Sequence, residues 1–144
     1  MTLSELIAAL RTDLGDPEGT LFSEATLTRC LLRATILVGH DTNQVMTLTD
    51  GEIVPVPDEL TTELLLLLAA SYACSAMRSQ TANAVNISSG DKRIERSTQA
   101  KHWGELADDW LARYRQRIAD MTGGDDYLTP PSLRPVIYEQ GSNL

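Results

Sequence analysis

Residues 58–80 read DELTTELLLLLAASYACSAMRSQ. Asp58 is a helix-capping residue, and Glu59 and Glu63 suit the positive end of the helix it would start. From Leu64 to Ala70 the segment is apolar on every side, the pattern of a helix buried all round. Such a helix is the centre of a small helical domain, or has one face closed by a neighbouring subunit. The apolar run is far short of the roughly 20 residues needed to cross a bilayer. Leu and Ala dominate the chain and Phe occurs once. That composition favours helices over a sandwich of aromatic and β-branched strands.

Upstream, Thr2 and Glu5 fit a capping box. Leu3, Leu6, Ile7, Leu10 and Leu14 follow as one helical stripe, with Gly15 as a stop. GDPEGT is a turn by composition. Ser23 then caps a second helix with the stripe Leu27, Cys30, Leu31, Ala34, Leu37 and Val38, ended by Gly39. The short linker implies an antiparallel pair. Between helices two and three, VMTLTDGEIVPV (45–56) places Asp50-Gly51 between two β-prone runs. That is the strongest short hairpin signal, with an extended loop as the alternative. Pro55 and Pro57 confine the second run to an edge or make it irregular.

Downstream, TANAVNISSGDKRIER (81–96) reads as an irregular polar loop. Ser97 caps a fourth helix whose stripe is Ala100, Trp103, Ala107, Trp110, Leu111, Tyr114, Ile118 and Met121, with Gly123 as its stop. The expected architecture is all-α. A bundle of about four helices occupies residues 1–122, with a hairpin or loop at about 44–57. An extended C-terminal tail occupies 123–144.

Composition narrows the functional classes. A chain of 144 residues is most simply one domain and needs no metal or disulfide staple. Cys30 and Cys74 lack metal-ligand spacing and read as buried thiols of a reducing compartment. The first residues lack the basic and cleavage regions of a signal peptide. The net charge of −8 argues against nonspecific DNA binding by the monomer. Residues 1–57 hold eight acids against three bases, and 58–121 hold nine against eight.

No constellation for catalysis stands out. His40 suits the negative end of helix two, and His102 lies off the apolar stripe as a solvated residue. Asp108 and Asp109 diverge around their helix and are not an obvious acid/base pair. ISSGDK lacks phosphate-loop spacing, and no serine sits in a GxSxG elbow. The expectation is a non-enzyme without cofactor or metal. Lys92, Arg93, Arg96 and Lys101, with Arg113, Arg115 and Arg117, could touch phosphate. They could equally be offset by Glu95, Glu105, Asp108 and Asp109, or bridge subunits.

The last stretch, GGDDYLTPPSLRPVIYEQGSNL (123–144), has no period that would make it an element of a core. Its apolar side chains, Tyr127, Leu128, Leu133, Val136, Ile137 and Tyr138, do not clearly outweigh the entropy of ordering the segment. Backbone bonds to another surface must add to them, and RPVIYEQ is β-prone enough for strand addition to a partner. Extended, the tail could reach about 70 Å. Tyr127, Leu128, Pro130, Pro131, Leu133, Arg134, Val136, Ile137 and Tyr138 are therefore the candidate partner-binding residues.

The pattern LRTDLGDPEGTLFSEATLTRCLLRA resembles the opening of head–tail adaptor (connector) proteins of tailed bacteriophages, the small helical neck proteins beneath the portal. DELTTELLLLLAASYACSAM looks like their Leu/Ala-rich central helix. NISSGDKRIERSTQAKHWGELADDWLARYRQRI looks like their polar loop and long last helix. The resemblance covers residues 3–121 and is one of order and pattern. It implies a structural virion protein forming a ring, usually of twelve copies, on the portal. The ring extends the DNA channel and offers a surface to the stopper or tail-completion protein. It implies no membrane partner, no sequence-specific DNA contact, and assembly in the bacterial cytoplasm. C-terminal segments of such adaptors commonly clasp the portal, so the portal or a neighbouring copy would hold the tail. Repeated acids around a channel would let DNA slide. Met46, Leu48, Ile53 and Val54 of the hairpin, and Lys92, Arg93 and Arg96 of the loop, become candidate subunit or tail-side contacts. Two rivals are a terminase small subunit and a host helical regulator that dimerises through helix three. The first should show a basic helix-turn-helix near its start, where this chain is acidic.

Overall fold

The computed structural model describes residues 1–85 and 91–122, with residues 84, 85 and 91–96 as backbone only. Four helices and one hairpin follow in order: α1 (Leu3–Asp13), α2 (Glu24–Asp41), β1 (Thr47–Thr49), β2 (Glu52–Val54), α3 (Glu59–Val85) and α4 (Asp91–Met121). The all-α architecture with a hairpin between helices two and three is as expected. Among the described residues, those up to Tyr114 belong to one compact unit and those from Arg115 to a second.

The first unit is built from local signals that hold. The Thr2 hydroxyl accepts the Glu5 N–H at 3.2 Å and starts α1. The Ser23 hydroxyl accepts the Thr26 N–H at 3.1 Å and starts α2. The Asp58 carboxylate accepts the Thr61 N–H at 2.7 Å and starts α3. Each supplies an acceptor for a backbone donor that has no partner inside its helix. The buried stripes are Leu6, Ile7 and Leu10 on α1, and Leu27, Cys30, Leu31, Ala34 and Val38 on α2. Both pack against α3, whose Leu64, Leu65, Leu68, Ala69, Ala70, Ala73 and Cys74 are buried. By length and hydropathy Glu59–Asn83 would qualify as a membrane span. Half of that stretch is buried inside the unit, as befits a central helix.

Two boundaries in the second half of the chain differ from the sequence reading. The third helix continues five residues past Gln80 to Val85. Thr81 is accommodated because its hydroxyl donates to the Met77 carbonyl one turn back, at 2.8 Å. The fourth helix begins at Asp91, so Ser97 lies inside it and is not its cap. Lys92, Arg93, Glu95 and Arg96 are good helix formers, and their propensity outweighs the polar look of the stretch.

Gly39 also has a different role from the stop expected of it. The second helix runs through it to Asp41. The chain then folds back, and the Gln44 N–H donates to the Gly39 carbonyl at 2.8 Å. A Cβ at position 39 would lie 2.5 Å from the Gln44 carbonyl oxygen. Gly39→Ala is therefore expected to destabilise by about 1–3 kcal/mol, although alanine is the better helix former. Urea unfolding monitored by circular dichroism checks this, and an unchanged or raised midpoint would show that the 43–46 segment can move aside.

The hairpin turn is Asp50-Gly51, with φ of 52° and 79°. Both residues are left-handed, as the two-residue hairpin turn requires. Pairing runs Thr47 with Val54, Leu48 with Ile53 and Thr49 with Glu52. Its tip is tied to the start of α1, where the Leu3 N–H donates to the Gly51 carbonyl at 2.8 Å. A two-stranded ribbon is marginal alone. This one is held by that bond and by Ile53, which is fully buried.

Within this unit, three contacts hold the part of α4 up to Tyr114. The Ser71 hydroxyl donates to the Ala107 carbonyl at 2.8 Å in the interior. The buried Tyr114 hydroxyl donates to the Asp41 carboxylate at 2.7 Å. The Phe22 and Trp103 rings meet edge to face with centroids 5.8 Å apart. In the second unit, Gln116 donates to Asp120 at 3.0 Å. Its last helical turn closes where Thr122 donates to the Ile118 carbonyl from both its N–H and its hydroxyl.

Candidate interaction surfaces

The turn between α1 and α2 is organised around one carboxylate. Asp16 is buried and collects five donors. Its Oδ1 accepts from the Thr20 N–H at 2.8 Å and the Thr20 hydroxyl at 3.1 Å. Its Oδ2 accepts from the Leu21 and Phe22 N–H groups at 3.1 and 3.0 Å, and from the Arg11 guanidinium at 3.3 Å. Arg11 also donates to the Phe22 carbonyl at 2.7 Å. Burial pushes the Asp16 carboxyl up. The backbone N–H groups of Phe22, Leu21 and Thr20, with the Thr20 hydroxyl, outweigh it and hold the carboxyl below its ordinary value. This cluster shapes the turn and seats Phe22 against Trp103. Leu21 is left half exposed at the rim of an apolar groove of about 590 Å³, with Met77, Thr81, His102 and Trp103.

The hairpin offers a surface other than the one its sequence suggested. Met46 and Ile53 are buried and Leu48 is half-buried, because the ribbon lays that face on the core. Among the four expected contact residues only Val54 is exposed. Val56 and Val45 are more so, and Ile36 on α2 is 75% exposed. Ile36, Val45, Gly39 and Gln44 line a groove of about 410 Å³ beside the end of α2. Lys92, Arg93 and Arg96 lie in the first turns of α4, and their side chains lie outside the described residues. The tail residues Tyr127, Leu128, Pro130, Pro131, Leu133, Arg134, Val136, Ile137 and Tyr138 also lie outside them.

The titratable and nucleophilic groups have structural surroundings. Cys30 and Cys74 are buried free thiols. Burial, and then the neighbouring Cys30, raise Cys74 to about 11, so it is not a ready nucleophile. The Tyr114 hydroxyl is pushed up by burial and then by Asp41, to which it donates. His40 is exposed on the last turn of α2, with Nδ1 3.3 Å from Asp41. His102 is exposed on α4. Among the described residues, no three His, Cys, Asp or Glu side chains are placed to hold a metal ion.

A third surface is basic. Arg29 and Arg33 are exposed one turn apart on α2 and line a cleft of about 360 Å³ with Tyr72, Ser75 and Ser79 of α3. The Arg33 guanidinium lies 4.2 Å over the Tyr72 ring. Nothing in the sequence marks this pair, because a helical i, i+4 spacing of arginines is common on solvated faces. Comparison with protein-family models, curated proteins and solved structures finds no match to this chain.

Proposed function

We propose that the chain is a head–tail adaptor of a tailed bacteriophage. In this reading it is a structural protein of the virion neck that assembles as a ring beneath the portal. The ring continues the DNA channel and receives the stopper or tail-completion protein. The observation that carries the reading is the composition of residues 123–144. That stretch joins a Pro-rich sequence to six sizeable apolar side chains that do not clearly outweigh the entropy of ordering it, and bonds to a partner surface would add what is missing. The order of elements supports it, since two capped helices, an apolar central helix and a long last helix follow the adaptor pattern. The exposed valines around the hairpin and the half-exposed Leu21 supply apolar surface for neighbours.

The test is binding to the portal ring encoded beside this chain. Full-length protein is compared with a version ending at Thr122, by sedimentation and electron microscopy of the mixtures. The expected result is that the full chain adds a ring to the portal and the shortened chain, still helical by circular dichroism, does not. Binding by both would move the contact to the helical unit. Binding by neither, with the shortened chain folded, would remove the adaptor reading.

A further inference from the structure

We infer that copies of this chain join head to tail, with Arg29 and Arg33 of one copy against Glu105, Asp108 and Asp109 of the next. The inference rests on the adaptor reading for its biological setting, and it supplies that ring with a specific contact.

Two oppositely charged sites of matching spacing have no ion pair among the described residues of the first unit. Residues 1–57 contain three bases. Arg11 is committed to Asp16 and Phe22. The other two, Arg29 and Arg33, have no carboxylate within ion-pair distance among the described residues. Among the described residues, no acid lines their cleft. Like charges four residues apart on a helix repel, and this chain has twenty acids from which to relieve them. Stacking on Tyr72 holds Arg33 at the mouth of the cleft and limits the side-chain entropy a partner must remove.

Helix α4 carries the complement. Glu105, Asp108 and Asp109 are exposed, and none has an ion pair among the described residues. Glu105 and Asp109 repeat the four-residue spacing of the arginines, so both pairs are set about 6 Å apart along a helix. Arg78 and Lys101 border Glu105 and Asp108 in a shallow groove, without coming within ion-pair distance. Asp109 does not line that groove. The two sites lie on different helices and are not copies of one patch. A contact between them is heterologous, and such contacts close into rings when the rotation allows.

The test uses the full chain in sedimentation velocity at about 25 mM and about 500 mM salt, where screening differs severalfold in length. Wild type is expected to associate at low salt and to dissociate at high salt. Arg29→Gln with Arg33→Gln, and separately Glu105→Gln with Asp108→Asn and Asp109→Asn, should each weaken association about tenfold or more. Circular dichroism confirms that each variant is folded. Mixing the two variants is decisive, because each keeps the half the other lacks. The mixture should give a one-to-one dimer and nothing larger. Wild type monomeric at low salt, variants that associate like wild type, or a mixture that does not pair would each overturn the contact. Portal binding is scored separately. Charge-dependent association without portal binding keeps the contact and removes the adaptor reading. Portal binding without charge-dependent association does the reverse.

Discussion

Asp16→Ala is expected to lower the melting temperature by about 5–10 °C. The loss exceeds that of an ordinary turn residue, because the carboxylate satisfies three backbone N–H groups, a hydroxyl and a guanidinium. Removing it leaves the Phe22 N–H buried without its acceptor. It also releases Arg11, which joins α1 to the start of α2 through the Phe22 carbonyl. Asp16→Asn should recover only part of the loss. Each carboxylate oxygen accepts at least two donors, so an amide nitrogen at either position faces donors whichever way it turns.

The same geometry sets a pH dependence. The folded-state carboxyl of Asp16 is held below the unfolded value of 3.8. Its contribution is therefore fully present above that value and is lost as pH falls through the folded-state value. Asp58, lowered first by the Thr61 backbone N–H, acts in the same acidic window. The difference in melting temperature between wild type and Asp16→Ala isolates Asp16. It should be constant from neutral pH down to about pH 5 and narrow below about pH 4. A difference that grows on acidification would contradict the assignment.

Leu68→Ala is expected to cost about 2–5 kcal/mol, the usual range for emptying a fully packed leucine site. Leu68 is fully buried on the central helix, as are Leu64, Leu65, Ala69, Ala70 and Ala73. A close-packed interior leaves little freedom for the surroundings to fill the hole. Leu67→Ala should cost less than half as much, because Leu67 is only partly buried in the single chain. Guanidinium unfolding of both variants measures the contrast. If the two losses were equal in the isolated chain, the helix would be rotated from the orientation described. If Leu67→Ala were mild in the isolated chain but harmful to assembly, the partly buried side of α3 would be an interface.

Much of this fold is legible along the chain because its signals are short-ranged. Thr2, Ser23 and Asp58 cap the helices they precede, and Asp50-Gly51 turns the hairpin it sits in. Capping and turn chemistry involve residues within four positions of one another, so the letters alone carry them. The all-round apolar run from Leu64 to Ala70 likewise announces a central helix, although Leu66 and Leu67 stay only partly buried in the single chain. The misplaced start of α4 shows where short-range reading errs. A polar stretch such as KRIER can be helical, and polarity was mistaken for irregularity.

What the chain could not reveal depends on residues brought together from afar. Asp16 reads as one more turn aspartate until Arg11 and the N–H groups of residues 20–22 close around it. Gly39 reads as a helix stop until Gln44 returns over it. Ser71 with Ala107, and Asp41 with Tyr114, are pairs 36 and 73 residues apart. Met46 and Ile53 look like surface residues of a ribbon until the ribbon is laid on the core. That the exposed charges of Arg29, Arg33, Glu105, Asp108 and Asp109 make no ion pair among the described residues is likewise visible only in the folded chain. Burial and pairing are properties of packing, which a helical or strand period constrains to a face but does not assign to a partner.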